Sequence, residues 1–376
     1  MKKIITNLIL ITGFLMVKNA DSNGQSVMFN QYFVNSVFEN PAFAGAFERP
    51  VFSVYYGQHI SPFYNNNFSE NPNYNNIGDN FGFSYQQYSD LLKGGIGISF
   101  SGVHYSADGN YSVLNDGLKL SYSPTIKICK KIYLKPGIEI GLYYEKEKYP
   151  AYTDTSKTFV ANYEIYPHYM ESIDNFSNMY PDINVGLLLY GANFHVALSV
   201  NHLNNPRTYA LNNYIYPDFY YNDGLPNSVN TKQPVRNLIT VTLGMNINSK
   251  DSGKTSTFSP HLFVQNNGYY HSNYTSSGNN NIYNSNSNVL LGFTYRYKRI
   301  LTGLDLGLYD SNNTGLIPMI GYQNKMFRIS YSYVIDLKEN GAYPVSTNTP
   351  GLSSILLTYM LPSKTKSTPP LFTTIN

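Results

Sequence analysis

The sequence has no tryptophan, a single cysteine and, beyond residue 24, no long apolar run. The lone Cys129 cannot form an intramolecular disulfide, and we expect it to pack as a small apolar residue near a turn. No segment after residue 24 approaches the ~18 consecutive apolar residues that a transmembrane helix requires. If the chain spans a membrane, it must therefore form a closed β-barrel, because open strands leave backbone groups unpaired in hydrocarbon.

Charge is also scarce. Charged residues make up 13% of the chain, and the formal net charge of +3 falls to +1 without residues 1–24, which contain three lysines and one aspartate. A chain so nearly neutral argues against electrostatic capture of nucleic acid. Aromatic residues are plentiful instead, with 37 tyrosines and 21 phenylalanines. Tyrosine has an apolar ring and a polar tip, so it suits the boundary between water and hydrocarbon. This composition fits a membrane barrel, and a soluble Tyr-rich β-protein is the alternative.

Apolar and polar residues alternate in fourteen segments with the period of two that is typical of a β-strand. In the segment 299–310, Leu304, Leu306 and Leu308 share one face, while Asp305 lies on the other face between glycines. The polar faces carry small residues, which leave room inside a closed sheet. The predicted strands are 51–58, 79–87, 94–104, 113–124, 130–146, 182–190, 192–203, 235–249, 256–267, 287–298, 299–310, 314–323, 325–337 and 351–361.

The gaps between these strands are sorted by length. Even-numbered gaps are tight, as at Gln87–Lys93 and Pro124–Lys130, while four odd-numbered gaps are long and polar: Ile60–Gly78, Lys148–Pro181, Asn204–Pro234 and Gly268–Asn286. Long loops that fall at one end of a meander are typical of an outer-membrane barrel with short periplasmic turns and long extracellular loops. The predicted fold is therefore an all-β, transmembrane antiparallel β-barrel of about fourteen strands, with both ends of the barrel chain in the periplasm.

The chain divides into four predicted regions. Residues 1–24 resemble a signal peptide, with Lys2 and Lys3 before an apolar stretch and small residues at the end, although cleavage could also follow Ala20. Residues 25–50 form an N-terminal periplasmic or lumenal segment, residues 51–361 the outer-membrane barrel, and residues 362–376 a periplasmic tail. Pro369 and Pro370 in this tail oppose further strand pairing.

Six charged residues fall on predicted inward faces: Lys119, Lys135, Glu139, Arg296, Asp305 and Arg328. They could line a solute path or orient a plug. Alternatively, they form a paired internal network that satisfies buried charge and fills a narrow barrel. We favour the paired network.

Signals for catalysis are weak. The seven histidines are scattered, without the spacing of a metal site, so we predict no metal, no cofactor and no enzymatic activity. His195 and His261 lie on inward faces near hydroxyl residues, as in membrane-embedded hydrolases, but no third orienting group is evident. The glycines of 94–97 lie within a strand and do not form a phosphate cradle.

Two short motifs carry a family resemblance. The run 29–35 (FNQYFVN) followed by 40–45 (NPAFAG) resembles the N-terminal signature of the PorP/SprF family, with Ser36 in place of the usual proline and Phe43 in place of the usual tyrosine. A second family pattern, Tyr-Arg-x-Gln-Trp, corresponds to residues 55–59, where only Tyr55 and Gln58 match. The candidate motif residues are Gln31, Tyr32, Asn35, Asn40, Pro41, Ala42, Gly45, Tyr55 and Gln58.

The resemblance implies an outer-membrane protein associated with type IX secretion and gliding. Such proteins are thought to anchor or escort secreted cargo, such as adhesins, at the cell surface. The implied partners are the cargo protein, other type IX components and outer-membrane lipid, with the long loops as docking surface. The N-terminal motif could serve either as a plug or strand lead-in, or in partner recognition.

Two other functions stay open. One is a channel or transporter for small or hydrophobic solutes in the outer membrane. The other is a soluble secreted β-protein that binds glycans through its Tyr-rich loops, which detergent-free fractionation would separate from the membrane pellet.

Overall fold

The architecture is a ring of strands preceded by a short irregular segment. The computed structural model describes residues 31, 36–47, 49–59, 77–107, 111–148, 176–208, 233–235, 237–251, 254–270, 283–309, 313–337 and 352–362. Two 3-10 turns, Ser36–Phe38 and Pro41–Phe43, precede the sheet. In these ranges no helix has the length and apolar character needed to cross a membrane.

The strands follow one another along the chain as antiparallel neighbours. Their bounds are β1 Val51–His59, β2 Ile77–Ser89, β3 Gly94–Ala107, β4 Tyr111–Pro124, β5 Ile126–Cys129, β6 Ile132–Lys148, β7 Phe176–Tyr190, β8 Phe194–Asn201, β9 Arg207–Thr208, β10 Gln233–Pro234, β11 Leu238–Met245, β12 Ile247–Asp251, β13 Lys254–Tyr270, β14 Tyr283–Tyr297, β15 Ile300–Tyr309, β16 Asn313–Gln323, β17 Phe327–Tyr333, β18 Ile335–Asp336 and β19 Leu352–Met360.

Three pairs of consecutive strands each form one interrupted barrel strand. β4 and β5 both pair with β6, β11 and β12 both pair with β13, and β17 and β18 both pair with β16. β9 and β10 pair only with each other in the part of the chain described here. The described ring therefore has fourteen barrel strands, and β1 closes it against β19 from Val51↔Met360 to His59↔Leu352. The predicted fold class is confirmed.

Side-chain exposure follows the barrel pattern rather than that of a soluble protein. Leu304, Leu306 and Leu308 on the outer face of β15 are 39%, 37% and 44% exposed, while Asp305 between them is 4% exposed. Most other strands repeat this alternation, with large apolar residues outside and many buried Ser, Thr, Asn and Gln residues inside, next to an inner apolar cluster that includes Phe263, Leu290 and Ile317. An apolar exterior around a polar interior is what a barrel in lipid requires.

The two ends of the barrel differ as expected from loop lengths. Short turns join strands at one end, where β1 begins and β19 ends, and Leu361 N–H donates to Pro50 O at 2.9 Å there. This end is periplasmic by the rule for outer-membrane barrels. The predicted long loops fall largely on residues 60–76, 149–175, 209–232 and 271–282, which lie outside the described residues. The predicted signal peptide and most of the predicted tail also lie outside them.

Several strand boundaries differ from prediction. β7 begins at Phe176 instead of 182, because its ladder with β6 continues through Pro181, which faces Leu142. The ladder of β7 with β8 extends only as far as Val185↔Val200. At Pro181, β7 therefore has a regular ladder with β6 alone. Such a position tolerates a proline, which has no N–H to donate. The sequence prediction treats Pro181 as the end of a loop.

β8 ends earlier than predicted, and the next barrel strand is interrupted. His202 adopts a left-handed φ of 60°, so β8 stops at Asn201 instead of continuing to 203. The predicted strand 235–249 is interrupted at Asn246, whose N–H donates to Asn193 O at 2.7 Å. The Asn246 side chain then accepts a hydrogen bond from Ser259 Oγ at 2.6 Å.

Candidate functional site in the barrel lumen

The chain before β1 folds back into the barrel. Gln31 and residues 36–47, called the lumenal segment below, lie among the inner faces of the strands. Phe43 is 1% exposed and belongs to an apolar cluster with Leu188 and Ala197 of β7 and β8. Burying such a side chain stabilises the protein by about 1.5–3 kcal/mol. The segment is therefore a packed part of the barrel interior.

A capped turn shapes the middle of this segment. Asn40 precedes the 3-10 turn Pro41–Phe43, and its Oδ1 accepts a hydrogen bond from Ala42 N–H at 2.9 Å. Proline suits the first position of such a turn because that N–H has no intrahelical partner. The Asn40 Nδ2 donates to Leu198 O of β8 at 3.0 Å. One side chain therefore fixes both the turn and its attachment to the wall.

The barrel wall holds the backbone of the segment. Three wall side chains donate hydrogen bonds to its carbonyl oxygens: Lys119 to Phe38 O at 3.0 Å, Ser199 to Glu39 O at 3.0 Å and Ser123 to Ala42 O at 3.2 Å. The N–H of Gly45 donates to Oε1 of Gln86 on β2 at 3.1 Å. Because these hydrogen bonds are made to backbone atoms, they depend on the backbone path of the segment more than on its side chains.

Glycines in the wall leave room for that path. A Cβ on Gly137 of β6 would come within 2.6 Å of Ala42 Cα, and one on Gly95 of β3 within 2.7 Å of Gly45 Cα. Gly186 of β7 lies against the side chain of Asn40. A wall with side chains at these three positions could not hold the segment so closely.

Gln31 attaches the start of the segment to the opposite side of the ring. Its Nε2 lies 3.2 Å from Ser332 Oγ and 3.3 Å from Ser354 Oγ, and Ser330 donates to its Oε1. These serines belong to β17 and β19. In a ring of fourteen barrel strands, β17 and β19 lie halfway around from β7 and β8. The lumenal segment therefore contacts two facing walls.

A buried charge network lies beside the segment. Glu139 is 2% exposed and accepts hydrogen bonds from Ser121 Oγ at 2.6 Å and Asn184 Nδ2 at 2.9 Å. Lys119 Nζ lies 3.5 Å from Glu139 Oε1 and also donates to the lumenal segment. Buried charges persist when they are paired and hydrogen-bonded, as this carboxylate is.

The remaining inward charges are held differently. Lys135 is fully buried and its Nζ lies 3.3 Å from both Ser123 O and Thr125 Oγ1. Arg296 donates to Thr257 Oγ1 at 3.2 Å, and Arg328 donates to Gln323 Oε1 at 2.8 Å. Both arginines are half-buried. The six predicted inward charges therefore lie on the lumenal side of several strands and do not form one cluster.

Asp305 pairs with a histidine across an intervening strand. His261 Nε2 of β13 lies 2.8 Å from Asp305 Oδ1 of β15, and the residue between them on β14 is Gly292. A side chain on Gly292 would overlap the carboxylate. His195 packs instead edge-on against Phe43, with ring centroids 5.7 Å apart. The two histidines singled out from the sequence thus contribute to lumenal packing and pairing.

A second buried pair was missed by the sequence prediction. His202 Nδ1 lies 3.0 Å from Asp182 Oδ1, and neither side chain is more than 7% exposed. The His202 N–H donates to Asn184 Oδ1 at 2.8 Å, which links this pair to the Glu139 network. Asp182 lies at the predicted start of its strand, and His202 at the predicted end of the next one. Their shared hairpin was the available signal, but the left-handed turn at His202 could not be anticipated.

The motif residues separate into two groups. Gln31, Asn40, Pro41, Ala42 and Gly45 lie together in the lumenal segment. The others do not join them in one site: Tyr55 is buried on the inner face of β1, Gln58 lies half-buried on its outer face, and Tyr32 and Asn35 are outside the described residues.

Chemically, the site offers peptide binding. Hydroxyl and ammonium groups of the wall donate to backbone carbonyls, the amide oxygen of Gln86 accepts from a backbone N–H, and apolar side chains cover Phe43. Among the residues that the structure describes, no group of three His, Cys, Asp or Glu side chains could hold a metal ion.

The chain is similar to several solved structures at low sequence identity. The chain is similar to a Pseudomonas aeruginosa FadL homologue (11% identity, TM-score 0.47, covering 90% of this chain and 96% of that one). It is also similar to the Pseudomonas putida toluene transporter TodX (10%, 0.43, 90% and 96%) and to CdiB from Acinetobacter baumannii (10%, 0.38, 83% and 60%). No curated protein sequence matches the chain. The fold therefore rests on the strand pairing of this chain itself.

The family model for the type IX secretion system membrane protein PorP/SprF matches residues 21–359. That range covers the lumenal segment and nearly all of the barrel. Together with the apolar exterior, it places the chain in the outer membrane. The chain belongs to the PorP/SprF family of type IX secretion system membrane proteins.

Proposed function

We propose that this protein is a non-enzymatic outer-membrane component of type IX secretion that anchors or escorts secreted cargo, such as adhesins, at the cell surface. Gliding machinery is one setting for this role. The observation that carries the proposal is that the chain's own N-terminal segment lies in the lumen and contacts eight of the fourteen barrel strands. With the interior taken up in this way, the long outer loops are the surface left for cargo. Other type IX components and outer-membrane lipid are the remaining proposed partners.

The motif residues receive a role in holding the lumenal segment. Asn40 and Pro41 build its turn, Gln31 attaches its start, and Gly45 allows the close approach to β2 and β3. In this assignment residues 25–50 belong to the barrel interior after removal of residues 1–24 as a signal peptide. The motif then supports the docking surface indirectly, by fixing the barrel on which the loops stand.

Loop deletion tests the docking role. The stretch 209–232 can be removed while Asn204 is kept, because Asn204 Nδ2 donates to Pro181 O at 2.9 Å and helps to hold the wall. The β9–β10 pair, Arg207–Thr208 with Gln233–Pro234, should also be kept, since its two strands end next to the deletion. The protein should still insert in the outer membrane, while cargo moves from the cell surface to the medium.

Deletion of residues 271–282 between β13 and β14 tests a second of the proposed docking loops. Surface and medium fractions are compared for both variants after heat-modifiability on gels shows that each barrel is folded. Unchanged surface cargo in both deletions would count against docking by these loops.

Solute transport is the rival function. The polar inner face is the observation that favours it, since such faces line channels in other barrels. Solute uptake by proteoliposomes separates the two functions. Uptake of small or hydrophobic solutes by the full chain would favour the transporter.

A further inference from the structure

We infer that the lumenal segment is a seal: it occupies a peptide-binding groove in the barrel wall and keeps an otherwise open pore closed. This inference does not depend on the proposed cargo role. It concerns what the barrel does to the permeability of the membrane in which it sits.

The first step is the width of the ring. Eight strands enclose an interior that side chains can fill, whereas barrels of sixteen or more leave an aqueous channel. The fourteen barrel strands described here approach the channel-forming size. Their inner faces also carry many small residues, such as Ser99, Ser121, Ser199 and Ser330. Although large side chains such as Phe263 and Met360 also point inward, the small residues leave space beside them for another part of the chain.

The second step is the position of the segment across this space. Gln31 is attached to β17 and β19, while Asn40 is attached to Leu198 on β8. Those attachments lie on facing walls. The described residues of the segment also contact β2, β3, β4, β6 and β7, so the segment is attached to eight of the fourteen barrel strands and narrows the lumen at that level.

The third step is the way in which the wall is built for a backbone. Lys119, Ser123 and Ser199 donate to carbonyl oxygens of the segment, and Gly95, Gly137 and Gly186 clear its path. These six residues come from five different strands, β3, β4, β6, β7 and β8. Hydrogen-bond donors and glycines from five strands therefore surround one short peptide. The groove is thus a binding site whose occupant is residues 36–45 of the same chain.

Electrical recording from planar bilayers tests the seal. The full mature chain should show no steady current. Deletion of residues 25–47 should give a steady current, because an unfilled lumen of this size holds water. A synthetic peptide of residues 31–47 should then lower the current of the deletion variant again. Folding of each protein is checked by gel mobility before and after heating.

A second pair of variants keeps the whole chain. Gly137→Ala places a methyl group 2.6 Å from Ala42 Cα and should displace the segment, so it should raise the current. Gly97→Ala is the matched control on the same side of the lumen, because its methyl group would meet only ordinary contacts at 3.5 Å or more. Its current should stay at the level of the full chain.

Three results would overturn the inference. They are equal currents for the full chain and a folded deletion variant, a deletion current that the peptide leaves unchanged, and equal currents for Gly137→Ala and Gly97→Ala.

Discussion

The buried pair of Lys119 and Glu139 gives the sharpest test of how the lumen is held together. The side chains are 7% and 2% exposed and the charged atoms are 3.5 Å apart. Glu139 also accepts from Ser121 and Asn184, so its carboxylate keeps two neutral partners when the lysine is removed. Lys119 has only the Phe38 carbonyl as a further described hydrogen-bond partner. The two halves of the pair should therefore respond differently to substitution.

Glu139→Gln preserves shape, and its amide can still accept from Asn184 and donate to Ser121, but it leaves the Lys119 charge buried without this counter-charge. Breaking a buried pair in this way costs about 3–5 kcal/mol. Lys119→Met leaves a carboxylate that retains two hydrogen bonds, so its cost should be nearer the lower limit of about 3 kcal/mol. The double variant carries neither charge. Its loss should be smaller than the sum of the two single losses by about 1–3 kcal/mol.

Urea titration of protein refolded in detergent measures these losses. The folded fraction is read from gel mobility and from circular dichroism, since the chain has no tryptophan to report fluorescence. Lys325→Met, at an exposed turn, is the control and should change stability by less than about 0.5 kcal/mol. Additive single losses, or a loss below about 1 kcal/mol for Glu139→Gln, would refute the reasoning.

Two further predictions concern packing inside and outside the wall. Gly292→Ala should lower stability by about 1–3 kcal/mol in urea titration, because its methyl group would lie 2.5 Å from Leu304 O and overlap the Asp305 carboxylate. Gly97→Ala should have little effect, and equal losses would contradict this account of the His261–Asp305 pair. Leu306→Arg should cost about 2–4 kcal/mol in lipid vesicles if its side chain lies near the membrane midplane, whereas Leu306→Tyr should be tolerated. An arginine accepted at no cost would mean that this face does not contact hydrocarbon.

Much of the fold follows from local pattern. Alternation along 299–310 correctly separated Leu304, Leu306 and Leu308 from Asp305, because a side-chain period of two is a property of each strand alone. The same rule applied to the other strands. It failed at Pro181, where proline was taken as the end of a loop although the neighbouring strand supports it on one side. It also failed at Asn246, where a backbone bond to Asn193 interrupts the strand.

The lumenal site was less predictable, because its contacts join distant parts of the chain. The sequence indicated inward positions for Lys119 and Glu139, but not that Lys119 would also hold the Phe38 carbonyl. Gln31 contacts Ser332, a residue 301 positions away, and that contact depends on closure of the whole ring. Gly137 and Gly186 resemble ordinary strand glycines until the lumenal segment that packs against them is known.

The orientation of the barrel is the central claim, and Cys129 offers the most direct test of it. This only cysteine of the chain lies near a turn as expected, but it is exposed and not packed as predicted, at the end of the barrel that carries the short turns. A maleimide coupled to a polymer too large to cross the outer membrane should leave Cys129 unlabelled in intact cells and label it after permeabilisation. In a Cys129→Ser background, Ser276→Cys within the long 271–282 stretch should be labelled in intact cells. Labelling of native Cys129 in intact cells would contradict the account.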